Sequence, residues 1–154
     1  HEIQMKPSLK QFLELIQCRD TDDAYHQKAR HYSAQSPTQK RGEQGEVIAR
    51  RYLEQNGLRC LESNIASNLG EIDLLMMHGE TLVFVEVKMR KTANFGGAIA
   101  AITPTKLKRL RQAIALYLQQ NPCHAQRDCR IDAILIQGAG KQCDIQWLQN
   151  IDAH

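Results

Sequence analysis

The chain of 154 residues lacks any apolar run long enough to span a membrane, and no basic segment followed by an apolar one indicates a signal peptide. We therefore expect no membrane association and a cytoplasmic location. Internal repeats and low-complexity tracts are also absent. The hydrophobic content of 42% fits a globular protein with one core.

A C-x-x-C motif is missing as well, and the five cysteines are odd in number. Cys123, His124 and Cys129 lie close together in sequence, but their spacing fits no zinc motif well. We therefore expect free thiols in a reducing compartment rather than a structural zinc site.

The chain has no strong net charge, but its charge is unevenly distributed. The formal net charge is only +3, whereas residues 88–111 contain no Asp or Glu and seven Lys or Arg. A block of charge +7 suits a polyanion such as nucleic acid. A solvated surface balanced by acidic segments elsewhere is the open alternative. The seven basic residues are Lys88, Arg90, Lys91, Lys106, Lys108, Arg109 and Arg111.

The sequence divides into an extension over residues 1–36, helical or partly disordered, and a domain over residues 37–154. The polar stretch SAQSPTQKRG predicts a linker over residues 33–42. Apolar periodicity within the domain then predicts a helix, three strands, a second helix and two strands. The corresponding strings are GEQGEVIARRYLEQNG, LRCLESNI, GEIDLLMM, LVFVEVKMR, TPTKLKRLRQAIALYLQQNP, RIDAILIQ and CDIQWLQ.

Local signals support both helices. In the second helix, Thr103 is the predicted N-cap, Pro104 occupies the first turn, and Pro122 follows the end. Gly57 is the predicted C-cap of the first helix. The predicted apolar face of the first helix consists of Val47, Ile48, Ala49, Tyr52 and Leu53.

Two opposite charges interrupt the apolar third strand, LVFVEVKMR. Because strand side chains alternate, Glu86 and Lys88 share one face with Leu82 and Phe84, while valines form the other face. A two-residue type II′ turn at Gly79-Glu80 would place Asp73 opposite Glu86. The same register would place Glu71 opposite Lys88. Two carboxylates would then lie side by side with a lysine next to them.

Adjacent carboxylates repel each other, and this repulsion can be relieved in two ways. One carboxyl can keep a proton, or Mg²⁺ or Mn²⁺ can bind between Asp73 and Glu86. Lys88 would then steady an attacking water or the charge on a phosphate. The open alternative is a structural ion pair of Lys88 with Glu71 or Glu86, with Asp73 capping a turn.

A third acidic group, Glu46, borders the apolar side of the first helix, since it shares that side with Ala49 and Leu53. It can therefore reach the sheet from there. An ordinary surface acid near the helix N-terminus, favoured by the macrodipole, is the alternative.

These residues resemble the motif of the PD-(D/E)xK nuclease superfamily: Glu46 in the first helix, Asp73 on a strand, and Glu86-Val87-Lys88 on the next. Ile72-Asp73 stands where the superfamily name has Pro-Asp, a departure that is common there. The strings RGEQGEVIARRYLEQNG, GEIDLL and LVFVEVKMR more closely resemble the YraN-like family of small bacterial proteins. That family is similar to archaeal Holliday-junction resolvases, and the resemblance covers residues 41 to about 150.

The resemblance implies a restriction-endonuclease-like α/β fold, with a mixed central sheet flanked by helices in the order αβββαββ. It implies that Asp73 and Glu86, with the backbone carbonyl of Val87, hold Mg²⁺ or Mn²⁺. Glu46 would assist as a ligand or through water, and Lys88 would orient or activate the attacking water.

These expectations favour a metal-dependent endonuclease acting on DNA, with branched or flapped DNA among the candidate substrates and a homodimer as a candidate assembly. The alternatives are a non-catalytic nucleic-acid-binding or scaffold protein on the same fold and a metal enzyme acting on a smaller phosphate compound. The loop RKTANFGG and the second helix would bind DNA phosphates. The predicted nucleic-acid-binding residues are Arg90, Lys91, Lys106, Lys108, Arg109 and Arg111.

Overall fold

The computed structural model describes residues 37–91, 98–138 and 143–152, with side chains from residue 44 onward. The predicted extension over residues 1–36 and most of the predicted RKTANFGG loop lie outside this part of the chain.

The order of helices and strands follows the predicted αβββαββ pattern. Two short 3-10 turns, Ile99–Ala101 and Pro122–His124, precede and follow the second helix. The elements are α1 (Pro37–Gln55), β1 (Arg59–Ser67), β2 (Gly70–His78), β3 (Thr81–Arg90), α2 (Pro104–Gln120), β4 (Cys129–Gln137) and β5 (Asp144–Leu148).

The five strands form one mixed sheet in the order β1-β2-β3-β4-β5. β3 and β4 run parallel, joined by a crossover that contains α2, whereas the other neighbouring pairs are antiparallel. This mixed α/β architecture confirms the predicted fold class and is compatible with a restriction-endonuclease-like fold.

The two helices cover opposite faces of the sheet. Leu82 and Phe84 of β3 pack on the α2 side, and Val83 and Val85 pack on the α1 side. The predicted alternation along β3 is therefore confirmed, and it assigns Glu86 and Lys88 to the α2 side. The α2 side buries Leu110, Ala113, Ile114 and Tyr117, and the α1 side buries Ala49 and Leu53.

The predicted hairpin register is confirmed as far as Leu74 and Val85, but the predicted pairs of Asp73 with Glu86 and of Glu71 with Lys88 are not part of the ladder. His78 pairs with Thr81, and the β2–β3 ladder continues from there to Leu74 and Val85. Gly79 has a φ of +61° and Glu80 has no positive φ, which is the pattern of a type II′ turn. Glycine suits this position because residues that have a Cβ atom rarely adopt a positive φ.

The caps of α2 are as predicted. The hydroxyl of Thr103 accepts a hydrogen bond from the Lys106 amide at 3.2 Å. Pro104 lies at the start of the helix, where its missing N–H has no intrahelical role. These signals fix where the basic first turn of α2 begins.

Two predictions about α1 are wrong. Residues 37–42 belong to the helix rather than to a linker, since α1 begins at Pro37, and proline is well suited to a first helical position. Val47 does not belong to the apolar face and is 48% exposed. At 100° per residue it lies far around the helix from Ala49 and Leu53, which are fully buried.

The expectation of free thiols holds for Cys60, Cys129 and Cys143. It is wrong for Cys123, which is disulfide-bonded. Within the described ranges, neither helix is long and apolar enough to cross a membrane.

Candidate active site at the open end of the central hairpin

The β2–β3 ladder ends where the acidic residues begin. Its last paired residues are Leu74 and Val85, so Asp73 and Glu86 are not joined through the backbone. Instead, the carboxylate oxygen Oδ2 of Asp73 accepts a hydrogen bond from the Val87 amide at 2.8 Å. In an uninterrupted ladder that amide would bond to the Ile72 carbonyl. The Asp73 side chain therefore replaces a backbone partner and is fixed next to the Glu86-Val87-Lys88 segment.

Glu86 and Lys88 form an ion pair on the α2 side of the sheet. The distance from Lys88 Nζ to Glu86 Oε1 is 2.9 Å, and both side chains are largely buried, at 19% and 16% exposure. The ion pair that the sequence left as an alternative is thus present, although Glu71 takes no part in it and is exposed. Asp73 does not cap a turn, because it bonds across the strands.

The pKa of the Asp73 carboxyl is strongly perturbed. Burial raises its pKa to about 8, and the nearby carboxylates of Glu86 and Glu46 contribute to the rise. The hydrogen bond from Val87 and the charge of Lys88 act in the opposite direction. Negative charge is therefore poorly compensated at this point, and a cation would be stabilised there.

Glu46 approaches the site from the opposite side of the sheet. Its neighbour Gly45 lies so close to β3 that a Cβ there would be 3.4 Å from Met89 Cβ and 3.6 Å from Val87 Cγ1. This close approach brings the N-terminal half of α1 over the end of β3. Glu46 is therefore near enough to raise the Asp73 pKa, as predicted for a third acidic group.

The donor set fits a hard divalent cation of the Mg²⁺ type. No three His, Cys, Asp or Glu side chains among the described residues are grouped closely enough to hold a metal by themselves. Mg²⁺ typically takes one or two carboxylates and completes its shell with water and substrate phosphate. Asp73 and Glu86 would supply these two carboxylates, and Glu46 would act through water.

The predicted phosphate-binding residues differ in position. Lys106, in the first turn of α2, is close enough to Lys88 that this neighbouring charge lowers the Lys106 pKa. Lys108 and Arg109 are exposed on α2, and Arg90 and Lys91 are exposed after Lys88. Arg111 is exposed too, but it forms an ion pair with Asp152. The basic block thus adjoins the acidic site, with Lys106 close to Lys88.

Two buried acids among the described residues were not predicted from the sequence. One is Glu62 on β1, which accepts a hydrogen bond from the Tyr117 hydroxyl. The other is Asp132 on β4. It is fully buried, and it accepts hydrogen bonds from Arg130 Nε at 3.1 and 3.2 Å, from Trp147 Nε1 at 2.9 Å and from the Asn150 amide at 2.9 Å. Arg130 also donates through Nη2 to His78 Nδ1 at 2.7 Å. The lone Asp within the apolar string RIDAILIQ was the available signal. Because both carboxylate oxygens of Asp132 have hydrogen-bond donors, the residue has a structural role. Its network connects β2, β4 and β5.

Comparison with known proteins shows the family of this chain. The model of "Uncharacterised protein family UPF0102" matches residues 45–136, which include Glu46, Asp73, Glu86 and Lys88. The chain belongs to this family. It is similar to a UPF0102 protein of Colwellia psychrerythraea, with 44% identity over 71% of this chain and 86% of that protein. It is also similar to one of Nitrosomonas eutropha, with 45% identity over 75% of this chain and 95% of that protein.

The raised pKa of Asp73 predicts the pH dependence of stability for this UPF0102 protein without metal. The unfolded chain releases the Asp73 proton near the ordinary value of 3.8, whereas the folded chain keeps it until about pH 8. The free energy of unfolding should therefore fall as pH rises through this window, because ionisation is easier in the unfolded chain. Asp73→Asn should remove this loss and be more stable than the wild type at pH 8.5, by about 1 kcal/mol or more.

Urea unfolding of both proteins across pH 5–9 in EDTA measures the effect. Asparagine can still accept the Val87 hydrogen bond through its amide oxygen, so the comparison isolates the charge. Parallel pH profiles for the two proteins would show that Asp73 is not under electrostatic strain.

Proposed function

We propose that this UPF0102 protein is a metal-dependent endonuclease of the PD-(D/E)xK type that hydrolyses phosphodiester bonds in DNA. The observation that carries the proposal is the convergence of Asp73 and Glu86 with two neighbouring lysines, Lys88 and Lys106. Acidic groups alone suit a cation, and lysines alone suit a phosphate. Their adjacency at one strand end suits a cation–phosphate complex. We further propose that the protein is similar to Holliday-junction resolvases and that its location is cytoplasmic. A homodimer is the candidate assembly.

The residues have separate chemical tasks in this proposal. Asp73 and Glu86, with the Val87 carbonyl, would hold Mg²⁺ or Mn²⁺, which supplies Lewis-acid activation of water and charge neutralisation when bound. Lys88 exchanges its contact with Glu86 for the attacking water or a non-bridging phosphate oxygen. Lys106 neutralises the same phosphate from the α2 side. Glu46 orients water next to Asp73.

A second candidate function is nucleic-acid binding without catalysis. It is favoured by the lack of a ready three-residue metal cluster among the described side chains and by the Lys88–Glu86 ion pair. A cleavage assay separates the two functions. Purified protein is incubated with linear, single-stranded, flapped and four-way-junction DNA in Mn²⁺ and then Mg²⁺. Cutting of at least one shape supports the endonuclease; binding without cutting in either metal supports the second function.

Lys106 should contribute one phosphate contact to DNA binding. Lys106→Ala should weaken affinity and reduce the slope of log K against log salt concentration by about one. Fluorescence anisotropy between 50 and 300 mM salt measures this, in EDTA to prevent cutting. Arg51→Ala is the matched control, because Arg51 is exposed on α1, which covers the opposite face of the sheet. Equal changes in the two variants would show that the effect is general charge and not a contact at the site.

A further inference from the structure

A pocket lies beside the candidate active site on the same face of the sheet. Its volume is about 260 Å³, below the range of pockets for drug-sized ligands but large enough for one small group. The pocket lies between the 3-10 turn Ile99–Ala101 and the C-terminal half of β4. The lining residues are Ala98, Ile99, Leu135, Gln137, Asp144 and Gln146.

Strand register fixes the position of this pocket relative to Lys88. Leu135 on β4 pairs with Lys88, and Gln146 on β5 pairs with Leu135. Paired residues share a face, and adjacent strands are about 4.8 Å apart. The pocket therefore begins one strand away from Lys88 and extends to β5. This spacing is comparable to the distance between a phosphate and the base of a neighbouring nucleotide.

The chemistry of the lining favours a nucleobase over a phosphate. Among the described residues the lining contains no Lys or Arg, and Asp144 would repel an anion. Gln137 and Gln146 each offer an amide donor and acceptor, and the Asp144 carboxylate accepts from exocyclic amino or ring N–H groups. Ile99, which is 56% exposed, and Leu135 offer apolar surface to the faces of a base.

We propose that this pocket binds one unpaired or extruded base adjacent to the scissile phosphate. The inference rests on the proposed function for its substrate and deepens it, because the preferred DNA would then have an unpaired nucleotide at the cleavage point. A base within an intact duplex reaches such a pocket only after unstacking, which costs a few kcal/mol. Flapped, branched or single-stranded DNA avoids that cost.

An abasic scan tests the pocket. Flapped DNA is prepared as a set in which one nucleotide at a time lacks its base, and affinity is measured by anisotropy in EDTA. We expect a loss of about tenfold at one position and little change elsewhere. Gln146→Leu keeps the approximate side-chain volume and should reduce this position effect to about threefold or less. Gln55→Leu, an exposed substitution at the end of α1, should retain it.

The scan on the wild type does not depend on how well any variant folds. Uniform affinity across all abasic positions would overturn the proposal that the pocket binds a base. A Gln146→Leu variant that keeps the full position effect would overturn it as well. The binding assay needs no cleavage, so the two proposals fail separately. Cleavage without an abasic effect overturns only the proposal that the pocket binds a base. An abasic effect without cleavage supports base binding and overturns only the proposed endonuclease activity.

Discussion

Asp73→Asn should lower the rate of DNA cleavage by at least about 10³-fold and leave DNA affinity equal or higher. A bound cation supplies several kcal/mol of charge stabilisation in the transition state, and each 1.36 kcal/mol corresponds to a factor of ten. The substitution removes the charge that holds the cation but keeps an oxygen for the Val87 amide. It also removes repulsion with Glu86 and with the DNA phosphates.

Single-turnover cleavage and anisotropy on the same DNA measure the two quantities. Asp128→Asn is the matched control, because Asp128 is exposed near the start of β4, away from the end of β3 that carries Glu86 and Lys88. Its rate should remain within about twofold of the wild type, as is usual for an exposed substitution. If Asp73→Asn instead unfolds the protein, or loses binding and cleavage in proportion, the acidic residues have a structural role.

Asp132→Ala should destabilise the fold by about 3–5 kcal/mol, because it breaks a buried ion pair. The carboxylate is fully buried and accepts hydrogen bonds from Arg130, Trp147 and Asn150. Its removal leaves these donors without their acceptor, and Arg130 without its counter-charge. Chemical denaturation at pH 7 measures the change.

Asp152→Ala is the control for that measurement. Asp152 pairs with Arg111 at the surface, where an ion pair contributes about 0–1 kcal/mol. A loss of less than about 1 kcal/mol for both variants would contradict the structural role of Asp132. Loss of cleavage by a well-folded Asp132→Ala variant would instead extend the active site to this network.

Much of the fold could be predicted because its signals are local. Gly79 fixes the hairpin turn, and the turn fixes the register from Thr81 to Val85. The period of two along β3 then assigns Glu86 and Lys88 to one face. Thr103 and Pro104 set the start of α2 in the same local way.

The remainder depends on tertiary contacts, which the sequence does not reveal. The Asp73 bond to the Val87 amide interrupts a ladder that the register alone would continue. Lys88 and Lys106 lie close together only because the crossover returns α2 to the same face. Asp132 is stabilised by partners on β5 and beyond it, so the lone acid in an apolar string could signal a buried site but could not identify these partners.

Metal dependence of DNA cleavage by the wild-type protein is the most direct test of the central claim. Flapped DNA is incubated with purified protein in Mg²⁺, after chelation with EDTA, and after Mg²⁺ is restored. We expect cleavage to stop on chelation and to return with the metal, since the carboxylates of Asp73 and Glu86 need a cation to act on a phosphate. Cleavage that persists in EDTA, or DNA binding without any cleavage in Mg²⁺, would contradict it.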